Sequence, residues 1–305
     1  MHGNCRLLAS ENHEHPVEFT ASPLRSTEGT LFGILYVLRI TGEKERIQAR
    51  VLRELDSLSR LQKRALPPRG IVVPGLQVEW IFLPGSFGGG DAIGCIQLDE
   101  GHVGFYTLDV LGGGLLSAMF SLLVATFLTP HFERGGILVE KLCEQPGSRV
   151  LTPAEVVKVL STRFFQKDDA TPYLSFAYGV LETSKGSLTL AHAGTPEPIV
   201  QGADGSMRLL KMESQAVGLF PGAEVPVESL SLVKNERLFL YSDGLAKCTN
   251  QVGETFSSER LVQVISASRR KTLKDAVKDI REEVTTWRGN GPFSDDVSLL
   301  ALEWG

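Results

Sequence analysis

Several strand-like runs in this chain are joined by connections too short to carry the backbone across a sheet, and this restricts the fold more than any other feature. In "AIGCIQLDEGHVGFYTLD" two apolar runs, at 92–98 and 102–109, flank the turn "DEGH". In "YLSFAYGVLETSKGSLTLAHAG", residues 173–194, two more flank "TSKG". Parallel neighbours need a crossover of about a dozen residues or more, so these runs must pair antiparallel. A further strand is expected at 76–83, and residues 16–41 read as strand, turn at "STEG", strand.

Helical periodicity appears between these runs. Over residues 43–65, Ile47, Val51, Leu55, Leu58, Leu61 and Ala65 recur at spacings of three or four, and "PPRG" then stops the helix. "TPAE" at Thr152 and "TLKD" at Thr272 offer N-caps with a carboxylate three residues on. After Thr272, Leu273, Ala276, Val277, Ile280, Val284 and Trp287 make one apolar face. Residues 115–128, "LLSAMFSLLVATFL", would reach roughly 21 Å as a helix against about 30 Å of hydrocarbon. This segment is expected to be a buried helix ended by Pro130, with no membrane span. Strands and helices in this mixture place the chain in the α+β class.

A net charge of -5 argues against a nucleic-acid partner, because binding phosphate backbones needs a basic face. Cys5, Cys95, Cys143 and Cys248 form no CxxC pair, so neither a zinc site nor a disulfide framework is suggested, and a reducing cytoplasm fits. The N-terminal residues are polar, without a secretory leader pattern. "HEH" at 13–15 reads as a solvated terminus.

Four aspartates stand where an apolar run meets glycine or another small residue. Asp91 follows "GGG" and precedes a strand; Asp109 ends a strand before "VLGGG"; Asp243 ends "RLFLYSD" before Gly244; Asp295 opens the final strand, with Asp296 beside it. Any one of them has an ordinary role in a turn or cap. Gathered together, they would repel unless a cation neutralised them, and an all-oxygen set suits hard Mg2+ or Mn2+ rather than zinc.

"GGGD", "DVLGGG" with its apolar helix, "AHAGTPEPIV", "GLFPGAEV", "ERLFLYSDGL" and "SDDVSLLAL", in that order, resemble the motifs of the PPM metal-dependent protein phosphatases, in the SpoIIE and RsbU branch. The likeness runs from about Leu58 to Glu303. It implies an α-β-β-α sandwich of two antiparallel sheets, with two Mn2+ or Mg2+ ions at one edge held by Asp91, Asp109, the Val110 carbonyl, Asp243, Asp295 and Asp296. Asp91, Asp109, Asp243 and Asp295 would be the catalytic set, serving the attack of an activated hydroxide on phosphoserine or phosphothreonine. The substrate it implies is a regulatory phosphoprotein, commonly a STAS-type antagonist of an anti-sigma factor. Residues 1–42 resemble the closing strands of a PAS domain, 43–68 a linker able to form a homodimer through 43–65, and 69–305 the phosphatase domain.

Two departures stand out: "LGGG" at Leu111–Gly114 replaces the usual "SGHG", and "AGTP" puts Thr195 in a histidine place. They leave open a second reading, a weak or inactive adaptor that binds a sigma-regulatory partner. "GGGDAIG" is also similar to the GGDEF signature of diguanylate cyclases, but Ala92 and Ile93 occupy its Glu and Phe places. Lys247 reads as an ordinary surface lysine, with a phosphate contact as the alternative.

Overall fold

The computed structural model describes residues 2–305 apart from 10–12, 28, 41, 69–72, 74, 86–88, 143–146, 165–172, 212–213 and 220–224. The chain divides into two compact units, Met1–Ser57 and Leu58–Gly305. In the first, β1 (His2–Ala9), β2 (His13–Arg25) and β3 (Leu31–Ile40) form an antiparallel sheet in the order β1-β2-β3. The expected turn closes with the Gly29 amide donating to the Ser26 carbonyl at 2.9 Å. The expectation of a polar, solvated terminus, "HEH" at 13–15 included, is corrected: the backbone of His2–Ala9 pairs with β2, whose first residues are His13–His15. Helix α1 (Gly42–Ala65) follows, and the division between the units falls inside it. The Leu55 side chain and those of His13–His15 lie outside the described residues.

The second unit holds two five-stranded antiparallel sheets. One contains β5 (Ala92–Gln97), β6 (His102–Val110), β9 (Leu174–Glu182), β10 (Ser187–Ala193) and β13 (Val227–Ser231), in the order β13-β10-β9-β6-β5. The other contains β4 (Leu76–Leu83), β11 (Ile199–Gln201), β12 (Met207–Leu209), β14 (Glu236–Tyr241) and β15 (Val297–Trp304), in the order β12-β11-β14-β15-β4. A short ribbon, β7 (Val139–Lys141) with β8 (Ser148–Val150), lies apart.

Alternation along the strands builds three apolar layers. Ile93, Phe105, Leu188, Leu190, Leu238, Leu240 and Leu300 face one another between the sheets. Tyr106, Leu108, Phe176 and Ala191 point the other way, onto α2 (Leu115–Phe127) and α3 (Pro153–Phe164). Phe239, Leu299 and Ala301 point onto α5 (Ser258–Ala267) and α6 (Leu273–Arg288); a single turn, α4 (Asp243–Ala246), follows β14. This is the expected α-β-β-α sandwich.

Both sequence-read caps form. The Glu155 carboxylate accepts from the Thr152 amide at 2.8 Å while the Glu155 amide donates to Thr152 Oγ1, and the Asp275 amide donates to Thr272 Oγ1 at 3.2 Å.

The expectation that residues 115–128 are wholly buried is corrected. α2 turns Ser117, Ala118, Ser121 and Val124 inward and leaves Leu115, Leu116, Met119 and Leu123 exposed. The run is apolar on all sides, so hydropathy does not mark the inner face; the small side chains do, because they let the helix approach the sheet. Among the described residues no helix is long and apolar enough to cross a membrane. Cys5, Cys95 and Cys248 are free thiols, and Cys143 lies outside the described residues.

Candidate metal centre

The same alternation that fills the core aims the acids. Ile93 on β5, Phe105 on β6 and Leu300 on β15 point between the sheets, so period-two counting places Asp91, Asp109 and Asp296 on that inner face at the sandwich end. Asp243 begins α4 directly after β14, and Asp295 stands just before β15. The four strand ends thus bring Asp91, Asp109, Asp243, Asp295 and Asp296 into one electrostatic cluster.

Asp91 is 3% exposed, and its Oδ2 has no hydrogen-bond partner. Burial first, then the charges of Asp109 and Asp296, hold its carboxyl well above the ordinary range; the nearby Ser298 and Ser242 hydroxyls offset part of this. Burial and the Asp243 and Asp295 charges push Asp109 up to about 7. Asp296 is pushed up to about 6, chiefly by burial, against the pull of the Gly85 and Asp91 amides. Asp295, exposed beside the others, is raised as well, chiefly by its partial desolvation. Such a cluster is costly without a positive partner.

Asp296 is a brace as well as an acid. Its Oδ1 accepts from the Gly85 amide at 2.7 Å and its Oδ2 from the Asp91 amide at 3.2 Å, tying the start of β15 to the loop before β5. Asp295 is solvent-facing, and its Oδ1 accepts from the Asp296 amide at 2.8 Å. Two glycines make this approach possible: a Cβ on Gly89 would lie 1.6 Å from Asp296 Oδ2, and one on Gly90 would lie 2.5 Å from the Val110 carbonyl oxygen. The Val110 amide in turn donates to the Gly90 carbonyl at 3.2 Å.

Sequence reasoning missed Gln62. Its side chain, 3% exposed near the end of α1, donates to the Gly89 carbonyl at 2.7 Å and so helps fix the glycine loop. A lone glutamine in a helical pattern carries no signal for this. Lys247 also proves more than a bystander, because its Nζ donates to Asp243 Oδ2 at 2.6 Å. Thr195 lines a cavity of about 10 Å³ with Asp109, Asp243, Ser175 and Tyr241; its Oγ1 is buried and unpartnered. That volume suits about one water molecule. Part of "GLFPGAEV", residues 220–224, lies outside the described residues.

The donor set fits a hydrated hard cation. Among the described residues, no three His, Cys, Asp or Glu side chains are arranged so as to close around an ion by themselves. Mg2+ commonly takes only one or two carboxylates and keeps several waters, so an open set of acids with a buried, unsatisfied Asp91 oxygen suits it.

A carboxyl whose folded pKa exceeds its ordinary 3.8 binds its proton more tightly when folded. Its stabilisation is full at low pH and is lost as pH rises through the folded value, here between about 4 and about 7. In EDTA the melting temperature is expected to fall by at least about 5 °C between pH 5 and pH 8, and Mn2+ should reverse the fall. Melting curves across that range check it; a metal-free melting temperature that rises with pH contradicts it.

The family model described as Stage II sporulation protein E (SpoIIE) matches residues 99–305. The phosphoserine phosphatase RsbP of Bacillus subtilis (strain 168) is 30% identical over 197 residues, covering 63% of this chain and 45% of RsbP. The chain therefore spans less than half the length of that relative. Among solved structures, the SiaA-PP2C domain of Pseudomonas aeruginosa aligns with a TM-score of 0.68 at 18% identity, covering 85% of this chain and 99% of that one. RsbX, solved in complex with magnesium, aligns with a TM-score of 0.54 at 12% identity, covering 77% and 98%. These structural likenesses establish a shared PP2C fold.

Proposed function

Because the chain belongs to the SpoIIE family, we propose that its second unit is a metal-dependent phosphatase acting on phosphoserine or phosphothreonine in a regulatory protein. The observation that carries this is the convergence of Asp91, Asp109, Asp243 and Asp295 at one end of the sandwich, with Asp91 Oδ2 buried and unpartnered. RsbP, named a phosphoserine phosphatase, supports the choice of phosphoserine.

Mn2+ or Mg2+, two ions, would be held by Asp91, Asp109, Asp243 and Asp295, with the Val110 carbonyl and the remaining lone pairs of Asp296. A divalent pair, when bound, supplies a lowered water pKa and neutralised phosphoryl charge. The chain's own part is positioning. Asp296 and Gln62 fix the glycine loop that carries Asp91, and the rigid end of β6 sets Asp109 beside Val110. Thr195 Oγ1, unpartnered beside Asp109 and Asp243, is free to donate a hydrogen bond to a phosphoryl oxygen or to the departing serine oxygen. The Lys247 ammonium moderates repulsion around Asp243.

A STAS-type antagonist of an anti-sigma factor is the proposed substrate class. Residues 1–42 are proposed as a PAS-like tail and 43–68 as a linker. The exposed Ile47, Val51 and Leu61 on α1 support pairing of two chains through 43–65.

The test is release of inorganic phosphate from a phosphoserine-bearing STAS protein. Turnover is expected with Mn2+ and none in EDTA. Tight, metal-independent binding without turnover would instead support the adaptor reading.

A further inference from the structure

A second concavity, of about 480 Å³, lies at the opposite end of β14 and β15 from the aspartates. Six residues of extended chain separate Arg237 from Asp243, or about 20 Å. Arg237 and Glu303 are direct cross-strand partners on the sheet face that carries Phe239 and Ala301, beneath the connection from α5 to α6. The Arg237 side chain is 7% exposed and fixed on all sides: Nε donates to Glu303 Oε2, one terminal nitrogen to Gln201 Oε1 at 3.3 Å, and the other to the Lys271 carbonyl at 2.6 Å.

Around this rigid floor stand Arg269, Arg270 and Lys271. Four cations thus face one carboxylate, Glu303, in a chain whose net charge is -5. Lys271 is engaged by Asp279 at 2.6 Å. Among the described residues, Arg269 and Arg270 form no ion pair; Asp204, the acid that feels Arg269, has its Oδ1 taken by the Ser206 amide and hydroxyl. The remaining wall is amide and small: Gln77, Gln201, Asn235, Gly202, Ala203 and Thr272. No aromatic ring or large aliphatic side chain lines it, so it offers no platform for a base or an apolar body.

Two exposed guanidinium groups, without an ion pair among the described residues, over a preorganised polar floor are suited to bidentate contacts with adjacent anionic groups. The concavity is open to solvent, so an anionic ligand can reach both groups. We propose that this cavity binds a small polyanion carrying two or more adjacent phosphate groups, at a site separate from the acidic cluster. The electrostatics oppose binding at the other end, where metal-free carboxylates repel an anion.

The test is calorimetric titration of the full chain with inorganic tripolyphosphate in EDTA and about 0.1 M salt. Saturable binding at one site is expected, weakened at least about tenfold by Arg269→Ala/Arg270→Ala. Charge reversal at the exposed Arg270 alone, Arg270→Glu, should weaken it similarly, and Arg281→Ala, at an exposed position outside the cavity, should leave it unchanged. Absence of saturable binding overturns the proposal, as does an equal loss in the Arg281 variant. Tighter binding of a hexaglutamate peptide than of tripolyphosphate also overturns it, by making the cavity a dock for acidic protein segments.

Discussion

Asp243→Asn is expected to lower metal-dependent phosphate release at least about 10³-fold, since in the proposed centre it removes a charge that would hold metal and so forfeits several kcal/mol of transition-state stabilisation. The substitution is nearly isosteric and takes one negative charge away from Asp109. In EDTA at pH 8 the variant should therefore melt no lower than the parent. Lys247 loses its charged partner, but that pair is exposed, with the lysine side chain 74% accessible, and contributes little to stability. Steady-state kinetics with a phosphoserine protein and parallel melting curves separate the two effects. Retained activity would remove Asp243 from the chemistry; a collapsed fold would make it a structural residue.

At the other end of the same strands, Glu303→Ala should destabilise the second unit by about 3–5 kcal/mol, because it strands a buried guanidinium. Arg237 would keep only the Gln201 oxygen and the Lys271 carbonyl as acceptors, and neither is charged. Replacing both partners, as Arg237→Met/Glu303→Leu, removes the charge along with its need for a partner and should recover most of the loss. Urea unfolding of the three variants checks this. A single-variant loss below about 1 kcal/mol would mean that water reaches the guanidinium and satisfies it.

These two ends differ in how far the sequence discloses them. Asp91, Asp109 and Asp243 are legible because each stands at one end of an apolar run with glycine within three residues, and the strand period then fixes the direction in which Asp109 points. The hairpins β5–β6 and β9–β10 are legible because their turns are short. Pairing of β15 with β4 is not, because Val297 and Leu83 lie far apart in the chain and only the closed sandwich makes them neighbours. Arg237 and Glu303 look like ordinary surface charges at the margins of two strands until those strands are laid side by side. The brace formed by Asp296 is hidden for the same reason, since its partners Gly85 and Asp91 are backbone amides that carry no side-chain signature. α5 and β13 were missed because each is short. The exposed flank of α2 was misjudged because a run that is apolar on every side gives no phase to read.

The resemblance of the ordered motifs implies what periodicity cannot, namely that the separate strand ends serve one centre. Its departures also gain physical content. Thr195 stands where a histidine is usual, yet it reaches the same small cavity as Asp109 and Asp243 with a free hydroxyl. A hydroxyl donates a hydrogen bond without titrating near neutrality, so the contact proposed for Thr195 would be a hydrogen bond, without the proton transfer that an imidazole can make.

Diffraction from crystals soaked in manganese, recorded at the manganese absorption edge, addresses the centre most directly. The account predicts anomalous peaks between the Asp109 and Asp243 carboxylates, with Asp91 and Asp295 oxygens turned toward them. Carboxylates pointing to separate places, or no peak between them, would contradict it.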